Sequence, residues 1–408
     1  MVAKIQKYTG NRNKMHTFAL LFSTLMKITI SVTNDLVTDQ RVHRVCTTLR
    51  QNGYDVKLVG REFRKSKPVE RLYCTERMKL LFKRSFLFYA EFNIRLFFYL
   101  LFDKADIFLS NDTDTLPANY LASLIRKKPL VFDAHEIFPE VPEVTDRKWV
   151  KKVWTKIEDM IFPRLKNTYT VCDSISAYYK EKYNINMSVV RNIPMKKVRK
   201  VSKNQLSTEP SPIDAKGKRV ILYQGAINKG RGIEWIIEAM QYLDNYIFYI
   251  IGDGDLLNEM QDKVKNLKLD DKVFFTGKIP FEDLPAYTTR ADIGVNLLEN
   301  WGLSYYYSLP NRIFDFIRGG VPILASDFPE ISKIIKRYNI GTLVRNYDPK
   351  YLASAIKRIS FKGKYRLAFE EANKELCWEN ESLILLKVMK EAVSRACHPA
   401  PDAGSPEI

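Results

Sequence analysis

The stretch SLPNRIFDFIRGGVPILASDFPEI, Ser308–Ile331, puts an amide, a guanidinium and a carboxylate on one short segment of helical pattern. Asn311 and Asp315 lie four apart, so on a helix they share a face. Pro310 suits the first helical position, and Ser308 just before it suits a cap. A helix start offers unpaired N–H groups to an anion. A carboxylate one turn along can accept from two adjacent hydroxyls, as a ribose presents them. One helix would then hold a phosphate at its start and a sugar ring on its side. The alternative is a capped helix in which Asp315 pairs with Arg312 or Arg318.

A second constellation is YQGAINKGRGIEWI, Tyr223–Ile236, read as strand, glycine-rich turn and helix. Gly225, Gly230 and Gly232 let the backbone approach a ligand closely. Lys229 and Arg231 fall at the helix start, where the dipole already favours anions. The fork of donors on Arg231 suits a diphosphate. Any glycine turn before a helix shares part of this pattern. IGDGD, Ile251–Asp255, reads as a turn capping the next helix. Of the four histidines, His135 stands at a strand end between Asp133 and Glu136, where a side chain can donate to a substrate hydroxyl; His16, His43 and His398 lie elsewhere. Asp112 and Asp114 form a carboxylate pair that reads either as a metal–diphosphate holder or as a loop cap.

Alternating strands and helices must position these groups. The first series runs from MKITISV (Met26–Val32) through ADIFLSND and PLVFDAHE to NTYTVCDS. Its apolar runs end in polar residues, as buried parallel strands with ligand groups at their carboxyl ends do. A basic, aperiodic stretch follows, and a second series starts at RVILYQGAI. This order predicts an α/β chain of two Rossmann-like, doubly wound parallel-sheet domains. The expected boundaries are an extension over 1–25, an acceptor-side domain over 26–195, a linker over 196–217, a second domain over 218–375, a C-terminal helix over 376–394 packing back on the first domain, and a disordered tail over 395–408. Residues 1–25 read as an early start or a weak anchor, because the apolar segment His16–Met26 falls short of the ~20 residues that span a bilayer.

Lys and Arg number 65 against 47 Asp and Glu, a net charge of +18, which suits an anionic partner: nucleic acid, acidic membrane or phosphorylated ligand. The five cysteines are scattered and form no CxxC pair, which argues against a disulfide framework or a zinc site. Leu80–Phe102 is dense in Phe, Tyr and Leu with Lys83, Arg84 and Arg95 interspersed. It reads as a helix half-buried in the first domain or lying in a membrane interface.

Together these motifs resemble the retaining GT-B glycosyltransferases of family 4, of the bacterial polysaccharide-assembly kind. LPNRIFDFIRGGVPILASDFPEI and YQGAINKGRGIE carry the resemblance in the second domain, and VFDAHEIFPEVPE, FPRLKNTYTVCDSISAYY and VVRNIP carry it in the first. The resemblance implies a nucleotide diphosphate-sugar donor on the second domain, an acceptor on the first, and chemistry between them. Arg231 would contact the diphosphate, with Gly225, Lys229 and Gly230 in the same turn. Asp315 would hold the ribose, Asn311 and Arg312 would lie beside the phosphates, and Lys278 and Ile279 would grip the base through backbone. His135 would sit near the transferred sugar. The chain departs from the family where the first acid of E-x7-E becomes Tyr307, where Asp315 replaces the second Glu, and where the opening loop reads TNDLVTDQR; there Asn34, Asp35 or Asp39 would serve the acceptor or sugar side with Glu136.

The expected reaction moves a hexosyl or related sugar to a glycan or lipid-linked acceptor with retained configuration. Arg231 and helix starts would stabilise the leaving diphosphate without a metal and without a cofactor. Asp112 and Asp114 are therefore set aside as metal ligands. The expected setting is cell-surface polysaccharide synthesis in the cytoplasm, with peripheral contact to an anionic membrane and no nucleic-acid partner. A basic nucleic-acid-binding protein is the rival of another class, but no such motif is found. A dinucleotide oxidoreductase needs a G-x-G-x-x-G that GAINKGRG lacks. A non-catalytic relative is the remaining alternative, given Tyr307.

Overall fold

The computed structural model describes residues 25–37, 39–64, 66–83, 85–196 and 213–397. Most of the expected extension and linker, and the tail from His398, lie outside these residues. Thirteen described strands form two sheets, of seven and six strands. They are β1 (Lys27–Ser31), β2 (Asp55–Glu62), β3 (Cys74–Lys79), β4 (Ile107–Asn111), β5 (Leu130–Ala134), β6 (Asn167–Thr170), β7 (Ser188–Val189), β8 (Arg219–Gln224), β9 (Tyr246–Ile251), β10 (Val273–Gly277), β11 (Ile293–Asn296), β12 (Ile323–Ser326) and β13 (Gly341–Val344). Every pairing described is parallel.

The chain divides into two compact units, one ending at Ser110 and including Ala118–Leu130, the other made of Asn111–Pro117 and the chain from Val131. The first unit carries strands in the order β3-β2-β1-β4. The outer strand β3, CTERMK, was not foreseen. It is charged and only partly buried, so it lacks the apolar run that marks an inner strand. The helix Ser85–Phe102 lays Phe88, Phe92, Leu96 and Leu100 against Val59 and Phe108, with Ala118 and Ala122 beside them. The i, i+4 spacing of those four residues makes one buried stripe.

The second unit carries β5-β6-β7 and the six-stranded sheet β10-β9-β8-β11-β12-β13. That sheet is buried on both faces. Along β8, Ile221 and Tyr223 join the core on one side, and Val220 and Leu222 join the core on the other. Helices Ile233–Ala239 and Pro349–Arg358 cover the first face; helices Asn311–Gly319, Pro329–Tyr338 and Arg366–Glu375 cover the second. Burial of each large apolar side chain contributes about 1.5–3 kcal/mol. The C-terminal helix, Trp378–Cys397, packs on β6 and β7. Arg395, placed by the sequence in a tail, lies within this helix and donates to Lys166 O at 2.6 Å and to Asn167 Oδ1 at 2.9 Å. A contact with β6 therefore holds what composition alone reads as disorder.

The turns at the carboxyl ends of β8, β9 and β10 are tied in sequence. Gly225 N–H donates to Ile251 O, and Gly252 N–H donates to Gly277 O, each at 2.9 Å. Ile227 N–H donates to Asp253 O at 3.0 Å. Gly252 sits at φ +144°, and a Cβ there would lie 1.8 Å from Gly225 O. Only glycine permits this approach of two backbones. We predict that Gly252→Ala lowers stability by about 2 kcal/mol or more, read as a fall in Tm. An unchanged Tm would mean that the two turns do not meet in this way.

Candidate active site

Three cations gather at the glycine turn after β8, Lys229 and Arg231 from the turn and Arg312 from the helix Asn311–Gly319, and the residues that hold them are aromatic. The Lys229 Nζ lies 3.8 Å from the Trp301 ring centre, the Arg231 guanidinium 4.8 Å from that of Tyr305, and the Arg312 guanidinium 4.3 Å from that of Tyr223. Such contacts fix a cation without neutralising it. Gly230, at φ +78°, faces the Trp301 ring, and a Cβ there would fall 2.8 Å from it. Glu299 N–H donates to Gly230 O at 3.0 Å, and the Trp301 indole donates to the Glu299 carboxylate. The run WGLSYYY thus acts as a brace for the turn. Its aromatic density was visible in the sequence, but its function as a seat for Lys229 and Arg231 was not.

Arg312 is the most constrained of the three. It is 7% exposed and folds over the strand end, with Nη2 3.3 Å from where a Cβ on Gly225 would stand. Burial pulls its pKa down; Tyr223 opposes that shift and the nearby Arg231 adds to it. Among the described residues no carboxylate forms an ion pair with Lys229, Arg231 or Arg312. Arg312 Nη1 and Arg231 Nε are both buried without a hydrogen-bond partner. Buried donors are nearly always paired. Two guanidinium groups of like charge with unmet donors make a seat for an anion.

The helix behind them departs from expectation in its cap. Pro310 is the cap residue and Asn311 the first helical one. Ser308 does not cap; its Oγ donates back to Tyr305 O at 2.8 Å. Asp315, one turn into the helix, is held by Gln224. Its Oδ2 accepts from Gln224 Nε2 at 3.0 Å, and Gln224 Oε1 accepts from Thr288 at 2.8 Å. Arg318 donates to Pro194 O, Leu376 O and Asn373. Asn311 is exposed. Lys278, beside the partly buried Ile279, reaches Asp253 Oδ2 at 3.3 Å. Tyr307, in the place of an acid, accepts the Cys172 thiol on its carbonyl at 3.2 Å. Glu330 is closed off: Ser174 donates to it from N–H and Oγ, and Lys333 pairs with it at 2.7 Å.

His135 follows β5 and lies between two carboxylates. Its Nδ1 is 2.9 Å from Asp112 Oδ2 and its Nε2 is 3.0 Å from Asp133 Oδ2, while its backbone N–H donates to Asp112 Oδ1 at 2.8 Å. Burial would lower its pKa; the two carboxylates outweigh that and hold it well above the ordinary value. The ring is thus an imidazolium with both nitrogens engaged. The expectation that it donates to a substrate hydroxyl meets this difference: in this arrangement it fixes the turn after β5. Asp112, at φ +58°, is engaged by His135 through both the ring and the backbone. Glu136 carries its carbonyl 3.4 Å from Tyr179 Oη, which also donates to Glu158, whose carboxyl is pushed up to about 7 by burial. Asn34, Asp35 and Asp39 belong to the other unit. Asp39 caps the helix Gln40–Gln51, Asn34 donates to Asp39 at 2.9 Å, and Asp35 accepts from Ser66 and Val37.

Two parallel α/β sheets, the second with a cation-bearing turn at its carboxyl strand ends, define a doubly wound α/β protein of the Rossmann-like kind. Family models place it further: residues 207–376 match glycosyl transferases group 1, and residues 39–194 match glycosyltransferase family 4. Between them they cover most of the chain, which belongs to the GT-B glycosyltransferases. The alpha-monoglucosyldiacylglycerol synthase of Streptococcus pneumoniae is 28% identical over 146 residues, 34% of this chain and 31% of that one. A Campylobacter jejuni N-acetylgalactosaminyltransferase acting on an undecaprenol-linked glycan is 23% identical over 68% of this chain and 71% of that one. The chain spans about a third of the length of the first curated relatives it matches, 31% and 36%. Among solved structures, Anabaena Alr3699/HepE in complex with UDP-glucose shares the fold at a TM-score of 0.69 and 14% identity, over 90% of this chain and all of that one.

The His135 pairing predicts a pH signature. Its folded pKa is raised, so its contribution is complete below the unfolded value of 6.5 and is lost as pH rises through the folded value. We expect His135→Gln to cost about 2–4 kcal/mol at pH 6, with the deficit shrinking in alkali, by denaturant unfolding. An equal deficit at every pH would contradict the pairing.

Proposed function

We propose that the protein transfers a hexosyl or related sugar from a nucleoside diphosphate donor to a glycan or lipid-linked acceptor, with retained anomeric configuration. The observation that carries this reading is the pair of buried, unpartnered guanidinium donors, Arg231 Nε and Arg312 Nη1, beside the glycine turn. As the bond from the sugar C1 to the diphosphate oxygen breaks, negative charge grows on the phosphate. Arg231, Arg312 and Lys229 meet that charge with side chains already in place. These cations supply the neutralisation that a metal would otherwise bring, so the reaction is metal-independent and needs no cofactor. The acceptor oxygen bonds to C1 on the face the phosphate leaves, and its proton passes to the departing phosphate oxygen.

Asp315, steadied by Gln224, takes the ribose hydroxyls, and the backbone at Lys278 and Ile279 meets the base. His135 and Glu136 stand on the sugar side as a rigid turn, with Tyr307 in place of an acid. Asn34, Asp35 and Asp39 serve the acceptor by shaping their loop. UDP is the first nucleotide to test, because a structural neighbour's complex holds UDP-glucose. The undecaprenol-linked glycan named for the Campylobacter relative supports a lipid-linked acceptor in cell-surface polysaccharide synthesis, at the inner face of the membrane.

Titration calorimetry tests the donor assignment. Arg231→Ala is expected to weaken UDP binding at least tenfold while uridine binding changes little, since the lost group meets phosphate. Equal losses for UDP and uridine, or none for either, would remove Arg231 from the diphosphate site. Tight DNA binding with no nucleotide binding would favour the nucleic-acid reading instead.

A further inference from the structure

The helix Ser85–Phe102 has a second face that the core does not use. Phe86, Ile94, Phe98 and Phe102 recur at helical spacing and are exposed, Phe86 to 73% and Phe102 to 82%. Beside it runs the carboxyl half of the helix Asp112–Arg126, with Leu121, Leu124 and Ile125 exposed. The two helices are locked together. Asn93 Oδ1 accepts from Ala118 N–H at 3.1 Å, and Arg126 Nη1 donates to the carbonyls of Leu100, Leu101 and Asp103 at 2.7–3.1 Å. The turn before the first helix is pinned as well: Leu81 and Phe82 donate their N–H groups to Glu91, at 2.8–3.0 Å, which leaves both side chains outside. The result is a firm apolar platform rather than scattered surface residues.

We infer that this platform lies in the interface of an anionic bilayer, resting on the reading that the acceptor is lipid-linked. Charge selects the occupant. Lys83, Lys104 and Lys127 are exposed in the segments that border these helices, while Glu91 is paired with Arg95, Asp106 with Lys128 and Glu62 with Lys79. A basic rim around an apolar face is the pattern of an interfacial helix on acidic lipid. A second copy of the chain docked by the same face would set those lysines against their own kind. The helix is long and apolar enough to cross a membrane by length and composition. It lies flat instead, because Phe88, Phe92, Leu96 and Leu100 are packed in the unit's core and spanning would strip them from it.

Flotation of the full chain with vesicles of phosphatidylcholine, alone or mixed with phosphatidylglycerol, tests this. Wild type is expected to float with the mixed vesicles. Ile94→Ser, Phe98→Ser and Leu124→Ser together are expected to lower its partition at least tenfold with UDP binding intact. Lys83→Glu with Lys127→Glu should abolish the preference for anionic lipid. Equal partition of wild type and the serine variant, or no wild-type flotation, overturns the inference. So does a wild-type dimer that the serine variant converts to monomer. Failure of wild type to bind UDP would strike the glycosyltransferase reading while flotation still reported on the platform.

Discussion

Two guanidinium groups held close together without a carboxylate between them set the terms for the second unit. Arg231 and Arg312 repel, and burial makes the repulsion dearer. The surroundings accept this at several positions. Gly225 has no side chain because the Arg312 guanidinium stands 3.3 Å from its Cβ position. Tyr223, Tyr305 and Trp301 supply ring faces, which hold a cation in place and leave its charge outward-acting. An acid in the same places would pair with the guanidinium groups and leave a neutral site. The replacement of the usual first acid by Tyr307, within the run WGLSYYY, belongs to this local pattern of aromatic rather than acidic neighbours.

The other polar groups show the opposite design. His135 is matched by two carboxylates, Glu330 by Ser174 and Lys333, and Asp327 by Ser332 and Arg345. These sites are satisfied within the chain and so act as fixtures of the turns they occupy. The contrast separates guanidinium donors with no partner in the chain from an imidazolium and carboxylates whose partners lie within it. Asp112 and Asp39 belong with the fixtures: one serves His135 and the other caps a helix.

Legibility followed burial. The inner strands β1, β4, β5, β8, β9, β11 and β12 are short apolar runs, and the sequence shows them because both faces are covered. The edge strand β3 is charged and was invisible for the same reason. The glycine turn was legible as a cation-bearing loop, since Gly225, Gly230 and Gly232 flank Lys229 and Arg231. Which side chains hold those cations was not, because Trp301 and Tyr305 come from a segment distant in sequence, just before and within the short helix Leu303–Tyr306, whose approach only the fold decides. Ser308 was misread as a cap because a Ser–x–Pro pattern fits more than one turn; its hydroxyl turns back to Tyr305 O. The apolar helix Ser85–Phe102 was read as ambiguous, and the structure resolves it into one packed face and one open face.

The most direct test of the anion seat is the stability of Arg312→Met without ligand. The account predicts that removing one of the two like charges leaves the unliganded Tm unchanged or higher, since the methionine keeps the packed stem, and that UDP then adds little to it. A variant that is clearly less stable without ligand and is still stabilised by UDP as wild type is would contradict it.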